Sequence, residues 1–155
     1  MKIRLLILSY LWIVVYSVQG FELSGSVLTI HVRGVFETKI SLLPLTGRGI
    51  IRSIIEVDGI KNGGTAVIRI PPDYLPGEFV IRCDYKSDIS TQPYPSEKRI
   101  IIDSQELEIW LNPIFFNNPD STWFQEGESE NTVYTEFLNT VSKAKEKIGL
   151  LHNFL

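Results

Sequence analysis

The chain has 155 residues, with 15 basic and 18 acidic side chains and a formal net charge of −3. This length suits one domain that can bury a self-sufficient core. No Lys/Arg cluster offsets the acidic balance, which disfavours phosphate backbones and anionic membranes, so we expect no nucleic-acid partner.

The first 20 residues have the layout of a cleavable signal peptide. Lys2 and Arg4 precede an apolar run over 5–15, and Val18 and Gly20 stand at the −3 and −1 positions of a cleavage site. Even extended to Val18 the run counts 14 residues, whereas a spanning helix needs about 20. We therefore predict cleavage after Gly20 and no stable membrane anchor, with a retained anchor as the alternative. Cleavage would leave 13 basic against 18 acidic residues, a charge of −5.

Cysteine use indicates the compartment. Cys83 is the single cysteine, so no internal disulfide can form, and the sequence has no N-x-[ST] sequon. Both features favour the periplasm or cell envelope of a bacterium over a eukaryotic secretory route. Cys83 stands between Ile81 and Tyr85 on the apolar parity of its strand, so we expect a buried structural side chain. A reactive thiol and intermolecular pairing are the alternatives.

Residues 21–113 carry short runs of period-two alternation separated by turn signals. The turn signals are Asp58-Gly59, Asn62-Gly63-Gly64 and Pro76-Gly77. Strands are predicted at 28–32, 36–43, 50–57, 66–70, 79–85, 99–102 and 106–111. The spacing predicts a mainly β fold, an antiparallel β-sandwich of immunoglobulin/prealbumin type with about seven strands.

The composition changes after Pro113. Residues 114–130 read as an aromatic-rich loop that contains Trp123 and Phe124, and residues 131–155 as an amphipathic helix and tail. The helix is predicted over about 131–148, with Ser129 or Asn131 as its cap and Gly149 as its terminator.

One apolar stripe runs along this helix. Val133, Phe137, Val141, Ala144 and Ile148 recur at helical spacing. A helix of this length is marginal alone in water, so the stripe must be covered. We expect its first half to dock on the sandwich near Trp110 and Trp123. The second half, from Val141 to Leu151, is expected to bind a protein partner such as a second copy of the chain or a missing downstream domain. The candidate partner-binding residues are Trp123, Phe124, Val141, Ile148 and Leu151.

No catalytic, cofactor-binding or metal-binding residues are predicted, and we expect a protein that is not an enzyme. His31 and His152 are the two histidines and lack metal-ligand spacing. The glutamates at 126, 128 and 130 are explained by the helix dipole rather than by acid/base catalysis. The aromatic residues in the second half of the sequence are typical of core packing, and an aromatic patch that faces a partner is the alternative.

Several segments carry a family resemblance. They are FELSG (21–25), ISLLPL (40–45), NGG (62–64), PGEF (76–79) and GESEN (127–131), the last followed by Tyr134 and Phe137. Over residues 21–140 the sequence resembles the uncharacterised N-terminal β-sandwich domain of exported thioredoxin-like (AhpC/TSA-type) proteins of Bacteroidetes-type bacteria. The resemblance implies a helical linker followed by a redox domain with C-x-x-C, and no catalytic residues in the sandwich. Because the chain stops at Leu155 without a C-x-x-C motif, we expect no thioredoxin-like activity from it.

Three functions follow from these patterns. The first is a non-enzymatic exported module that docks or positions a partner in the cell envelope. The second is the truncated N-terminal part of a thiol-disulfide oxidoreductase. The third is a carbohydrate- or peptide-binding sandwich that uses its aromatic residues.

Overall fold

A computed structural model describes residues 25–45, 52–103 and 105–152, so the predicted signal peptide lies outside the described residues. The described residues form eight strands, a short 3-10 helix at Pro72–Tyr74 and one α-helix. The strands are β1 (Ser26–Val32), β2 (Glu37–Pro44), β3 (Ile55–Lys61), β4 (Thr65–Ile70), β5 (Gly77–Lys86), β6 (Tyr94–Ile102), β7 (Leu107–Leu111) and β8 (Trp123–Phe124). The helix, α1, spans Glu130–His152, and no helix in these ranges is long and apolar enough to cross a membrane.

The strands form two four-stranded sheets, in the orders β4-β1-β7-β8 and β3-β2-β5-β6. The predicted mainly β fold with a C-terminal helix is confirmed, and the two sheets form a sandwich-like core. The purely antiparallel arrangement is wrong at one pair, because β1 and β7 run parallel. Five other strands lie between them in the chain, so no hairpin dictates their relative direction.

An eighth strand arises inside the predicted aromatic-rich loop. Trp123 and Phe124 pair with β7, opposite Trp110 and Ile109. Two residues are too few to show a period-two pattern, so the sequence offered no sign of this strand.

Alternation along the strands places one face of each sheet in the core. In β1 the buried apolar residues are Leu28, Ile30 and Val32, and Ser26 is buried on the same face. The largest fully buried side chains are Phe79, Leu28, Ile30, Ile40, Leu42, Ile68, Ile70, Ile81, Ile100, Ile102, Ile109 and Leu111. Full burial of each such side chain stabilises the fold by about 1.5–3 kcal/mol before the entropy of ordering is counted.

The predicted Asp58-Gly59 turn is instead a β-bulge within β3. Thr38 pairs with Ile60 and Ile40 pairs with Val57, so two residues of β3 oppose one residue of β2. Gly59 has a φ of +71°, which glycine adopts without a steric penalty. The strand predicted at 50–57 therefore begins later, at Ile55, and continues past these residues to Lys61. Residues 52–54 are not part of a strand, and residues 50 and 51 lie outside the described ranges.

Helix α1 packs against β6 and β8, the last strands of the two sheets. Its Asn131 side chain, 2% exposed, completes the free edge of β6. The side-chain oxygen accepts the Ile101 N–H at 2.7 Å, and the side-chain amide donates to the Ile101 carbonyl at 2.8 Å. Asn131 thus stands in for a neighbouring strand at this edge.

Helix α1 starts at a predicted cap but ends later than predicted. Ser129 directly precedes the first helical residue, Glu130, and its carbonyl accepts the Val133 N–H at 2.9 Å. The Glu128 carboxylate accepts the Asn131 N–H at 2.9 Å, so Glu128 satisfies a free amide of the first turn, while Asn131 uses its side chain on β6. Gly149 lies inside the helix, which continues to His152. Gly149 does not have the positive φ of a glycine that ends a helix.

Candidate functional site

The predicted partner-binding residues lie in two elements. Trp123 and Phe124 form β8, and both are half-buried. Val141 is half-buried on α1, whereas Ile148 is 61% exposed. Leu151 belongs to α1, but its side chain lies outside the described part of the molecule. The structure thus separates these residues into a sandwich edge and a helix surface.

A row of apolar side chains on α1 is exposed. Val133 is 63% exposed and Phe137 is 59% exposed, and Ala144 and Ile148 are also exposed. We call Val133, Phe137, Ala144 and Ile148 the apolar row. The expectation that the first half of the stripe docks on the sandwich is wrong, since the Val133 and Phe137 side chains are exposed to about the same extent as Ile148 near the end of the helix.

Polar contacts explain this orientation of the helix. Asn131 bonds to β6 as described, and the Tyr134 hydroxyl donates to the Glu78 carboxylate of β5. Burial first, and then the Glu78 carboxylate, raise the pKa of Tyr134. Arg99 also approaches Glu78, with 3.8 Å between Nη1 and Oε1. Polar residues on one side of α1 hold the sandwich, so the apolar row faces solvent.

A cleft lies between α1 and the two edge strands. Its lining comes from β6, β8, α1 and the turns before β8, and the cleft encloses about 210 Å³. The lining residues are Lys98, Phe116, Asn117, Pro119, Thr122, Trp123, Phe124, Thr132, Thr135, Glu136 and Asn139. The predicted candidates Trp123 and Phe124 therefore line a concave site.

Lys98 is the buried charge of this cleft. Its side chain is on the inward face of β6, and the residue is 4% exposed. Nζ donates to the Phe116 carbonyl and to the Thr135 hydroxyl, both at 3.3 Å. Burial lowers the pKa of Lys98 to about 8, because desolvation disfavours the ammonium form. Lys98 is not among the residues predicted from the sequence, although it shares the strand parity of the buried Ile100 and Ile102.

An aromatic stack lies on the outer face of the sheet that contains β1, β7 and β8. The His31 and Trp110 ring centroids are 4.8 Å apart, and the Trp110 and Trp123 centroids are 5.9 Å apart with planes at 8°. The Arg33 guanidinium lies 4.7 Å from the Trp123 ring centroid. The rings thus face one another, which differs from an open platform on which a sugar would stack. His31 also bonds to Glu108 at 2.6 Å.

Cys83 is fully buried, as the sequence predicted. Burial raises the pKa of its thiol to about 12, against a weaker lowering by the Thr38 hydroxyl. The thiolate needed for nucleophilic chemistry is therefore disfavoured here. Within the described ranges, no group of three or more His, Cys, Asp or Glu residues is placed to hold a metal ion.

Comparisons with known proteins give little similarity. No protein-family model matches the sequence, and no curated protein is similar to it. The crystal structure of (S)-allantoin synthase overlaps 66% of this chain with a TM-score of 0.42 and 13% sequence identity. The overlap spans 44% of that protein's length, and a likeness this distant carries no argument about function.

Proposed function

We propose that the chain is a non-enzymatic exported β-sandwich module that docks a second copy of itself through the apolar row of α1. The observation that carries this proposal is the exposure of Val133, Phe137 and Ile148, each about three-fifths exposed on one side of one helix. Contiguous apolar surface of this kind marks interaction sites in soluble proteins.

The charges of α1 favour a second copy as the occupant. Its first half carries Glu130 and Glu136, whereas its second half carries Lys143, Lys145 and Lys147. Glu146 leaves that half with a net positive charge. Antiparallel pairing of two copies would place each acidic half beside a basic half, and it would also align the helix dipoles favourably.

The apolar row also suits a two-fold axis. In an antiparallel pair centred between Phe137 and Ala144, Val133 of one copy lies opposite Ile148 of the other, and Phe137 lies opposite Ala144. Large side chains then meet small or medium ones, as interdigitated packing requires. Such an interface uses the same surface on both copies and closes as a dimer.

Sedimentation velocity of the exported chain tests this self-association. We expect a concentration-dependent dimer for the wild type and a monomer for Phe137→Asp, because a charge in the row would be buried without a partner. Ser142→Asp is the matched control. Ser142 is exposed on α1 but lies about 140° round the helix from Phe137, so this variant should still dimerise. A wild type that stays monomeric, or a Phe137→Asp variant that dimerises equally well, would contradict the proposal.

Export remains a sequence-based part of the proposal. Its support is the basic, apolar and small-residue layout of residues 1–20. Intact-mass analysis of the protein from its native cell envelope should find a chain that begins at Phe21. Material that retains Met1 would indicate an anchored form instead. The relation to exported thioredoxin-like proteins, and hence the oxidoreductase-fragment alternative, likewise rests on the sequence resemblance.

We also propose that the sandwich is of the prealbumin-like rather than the immunoglobulin type. Two four-stranded sheets and the parallel β1–β7 pair support this. The constant-type immunoglobulin domain instead has seven strands, divided four and three, in antiparallel sheets.

A further inference from the structure

We propose that the cleft between α1, β6 and β8 binds a small organic monocarboxylate with an apolar body, and that the carboxylate pairs with the Lys98 ammonium. This site is distinct from the apolar row, which faces away from the sandwich. The proposal rests on the position of Lys98, on its polar partners and on the lining of the cleft.

The position of Lys98 is unusual for a lysine. On β6 the buried side chains alternate as Lys98, Ile100 and Ile102, so a cation occupies a place that the strand otherwise gives to isoleucine. Lysines are almost never fully buried unless they are paired. Lys98 nevertheless lies inside the sandwich edge, where α1 covers it.

The contacts within the protein only weakly offset the desolvation of the Lys98 ammonium. Its two acceptors, the Phe116 carbonyl and the Thr135 hydroxyl, are neutral and lie at 3.3 Å, beyond the usual range for hydrogen bonds of a charged donor. The Phe124 ring centroid is 5.6 Å from Nζ, at the outer limit of a cation–π contact. Among the described residues no carboxylate lies within 4.0 Å of Nζ. An ammonium offers three donors, so an anion in the cleft would supply the missing charge and a further acceptor.

The Thr135 hydroxyl cannot strengthen its bond to Lys98 by turning further toward it. It already donates to the Asn131 carbonyl at 2.8 Å, which fixes its orientation. Since Asn131 is itself bonded to β6, the acceptors around Lys98 are held by the helix–sandwich junction. A rigid, partly satisfied cation is a preorganised receptor for an anion.

The other residues that line the cleft determine which kind of ligand body fits beside Lys98. Phe116, Pro119 and Phe124 provide apolar surface, and a volume of about 210 Å³ exceeds the 150 Å³ of a cavity that holds benzene. A phenyl-sized body with one carboxylate therefore fits. Glu136 is the one acidic residue of the described lining, and its charge would repel a second carboxylate. These features point to a monocarboxylate rather than a dianion or an inorganic phosphate.

A structural role for Lys98, as a tie between β6 and α1, makes a different prediction. If Lys98 only connects β6 to α1, small carboxylates should not bind beside it, and Lys98→Met should change the stability of the protein alone. A binding site predicts ligand-dependent changes that require the charge of Lys98. The two roles are therefore separable by titration.

The probe is 3-phenylpropionate, followed by NMR chemical-shift changes of the exported chain, with 3-phenylpropionamide as the uncharged comparison. We expect saturable shifts at cleft residues with the carboxylate and at least tenfold weaker binding of the amide. Lys98→Met should lose the same tenfold or more. Lys61→Met, which removes an exposed lysine of β3, should bind as the wild type does.

The pH dependence gives a readout that needs no variant. The ligand is ionised throughout the neutral and alkaline range, so affinity should follow the protonated fraction of Lys98. With a pKa of about 8 in the free protein, affinity should fall as pH rises above 8, toward tenfold per unit. If Lys98→Met fails to fold, the amide comparison and this pH profile decide. Absence of saturation up to about 10 mM, equal binding of the amide, or affinity that is flat from pH 7 to 10 would overturn the proposal.

Discussion

Replacement of Asn131 by leucine is expected to lower the free energy of unfolding by about 2–4 kcal/mol. The Asn131 side chain bonds to both the N–H and the carbonyl of Ile101, at 2.7 and 2.8 Å. Leucine has a similar volume but no polar atoms, so both backbone groups of β6 would remain under α1 without a partner. A buried unsatisfied group costs about 1–3 kcal/mol, and two neighbouring ones are not fully additive.

Asn139→Leu is the matched control for this prediction. Asn139 is a half-buried asparagine two turns further along α1. In the part of the chain that the structure describes, its side chain makes no hydrogen bond to the sandwich. Chemical denaturation should give Asn139→Leu a stability within about 1 kcal/mol of the wild type. Equal stabilities of the two variants would show that Asn131 does not fasten the helix to β6.

Hydrogen exchange provides a local readout of the same contact. The Ile101 amide should exchange faster in Asn131→Leu than in the wild type, since its acceptor is gone. The Ile109 amide, on a strand inside the other sheet, should change only as global stability changes. A uniform loss of protection would indicate general destabilisation rather than release of this edge.

The strands and the helix were predictable because their patterns are local. Alternation over 79–85 anticipated the buried Phe79, Ile81 and Cys83 of β5. The helix over 131–148 was anticipated from its apolar spacing, and α1 contains it. In both cases neighbours in the sequence carry the whole signal.

The site was less predictable because it depends on how elements meet. The apolar spacing predicts that the first half of the stripe docks on the sandwich. Asn131 and Tyr134 bind the sandwich instead, so the apolar row faces solvent. Lys98 enters the core because α1 covers β6, a contact between residues 37 positions apart. The Asp58-Gly59 dipeptide is compatible with a hairpin turn and with a β-bulge. Only the pairing of β3 with β2 distinguishes the two structures.

Alkaline pH is expected to destabilise the wild type through Cys83 by about 2–3 kcal/mol between pH 9 and 11. Burial raises the pKa of the folded thiol from an ordinary 9.0 to about 12. Above pH 9 the unfolded chain therefore releases the thiol proton while the folded chain keeps it. The unfolded state binds fewer protons, so stability falls as pH rises, by about 1.4 kcal/mol per unit until the folded thiol also ionises.

Cys83→Ala isolates this contribution because alanine does not titrate. The variant should be less stable than the wild type at pH 7, since it leaves a small cavity in the core. Its stability should nevertheless fall less steeply from pH 9 to 11, because lysines and tyrosines titrate alike in both proteins. Cys83→Ser should cost about 1–3 kcal/mol at pH 7 through its buried hydroxyl. Denaturation curves at several pH values measure these differences. Parallel pH profiles for the wild type and Cys83→Ala, or rapid labelling of the native thiol at pH 8, would show that Cys83 is not held in the dry core.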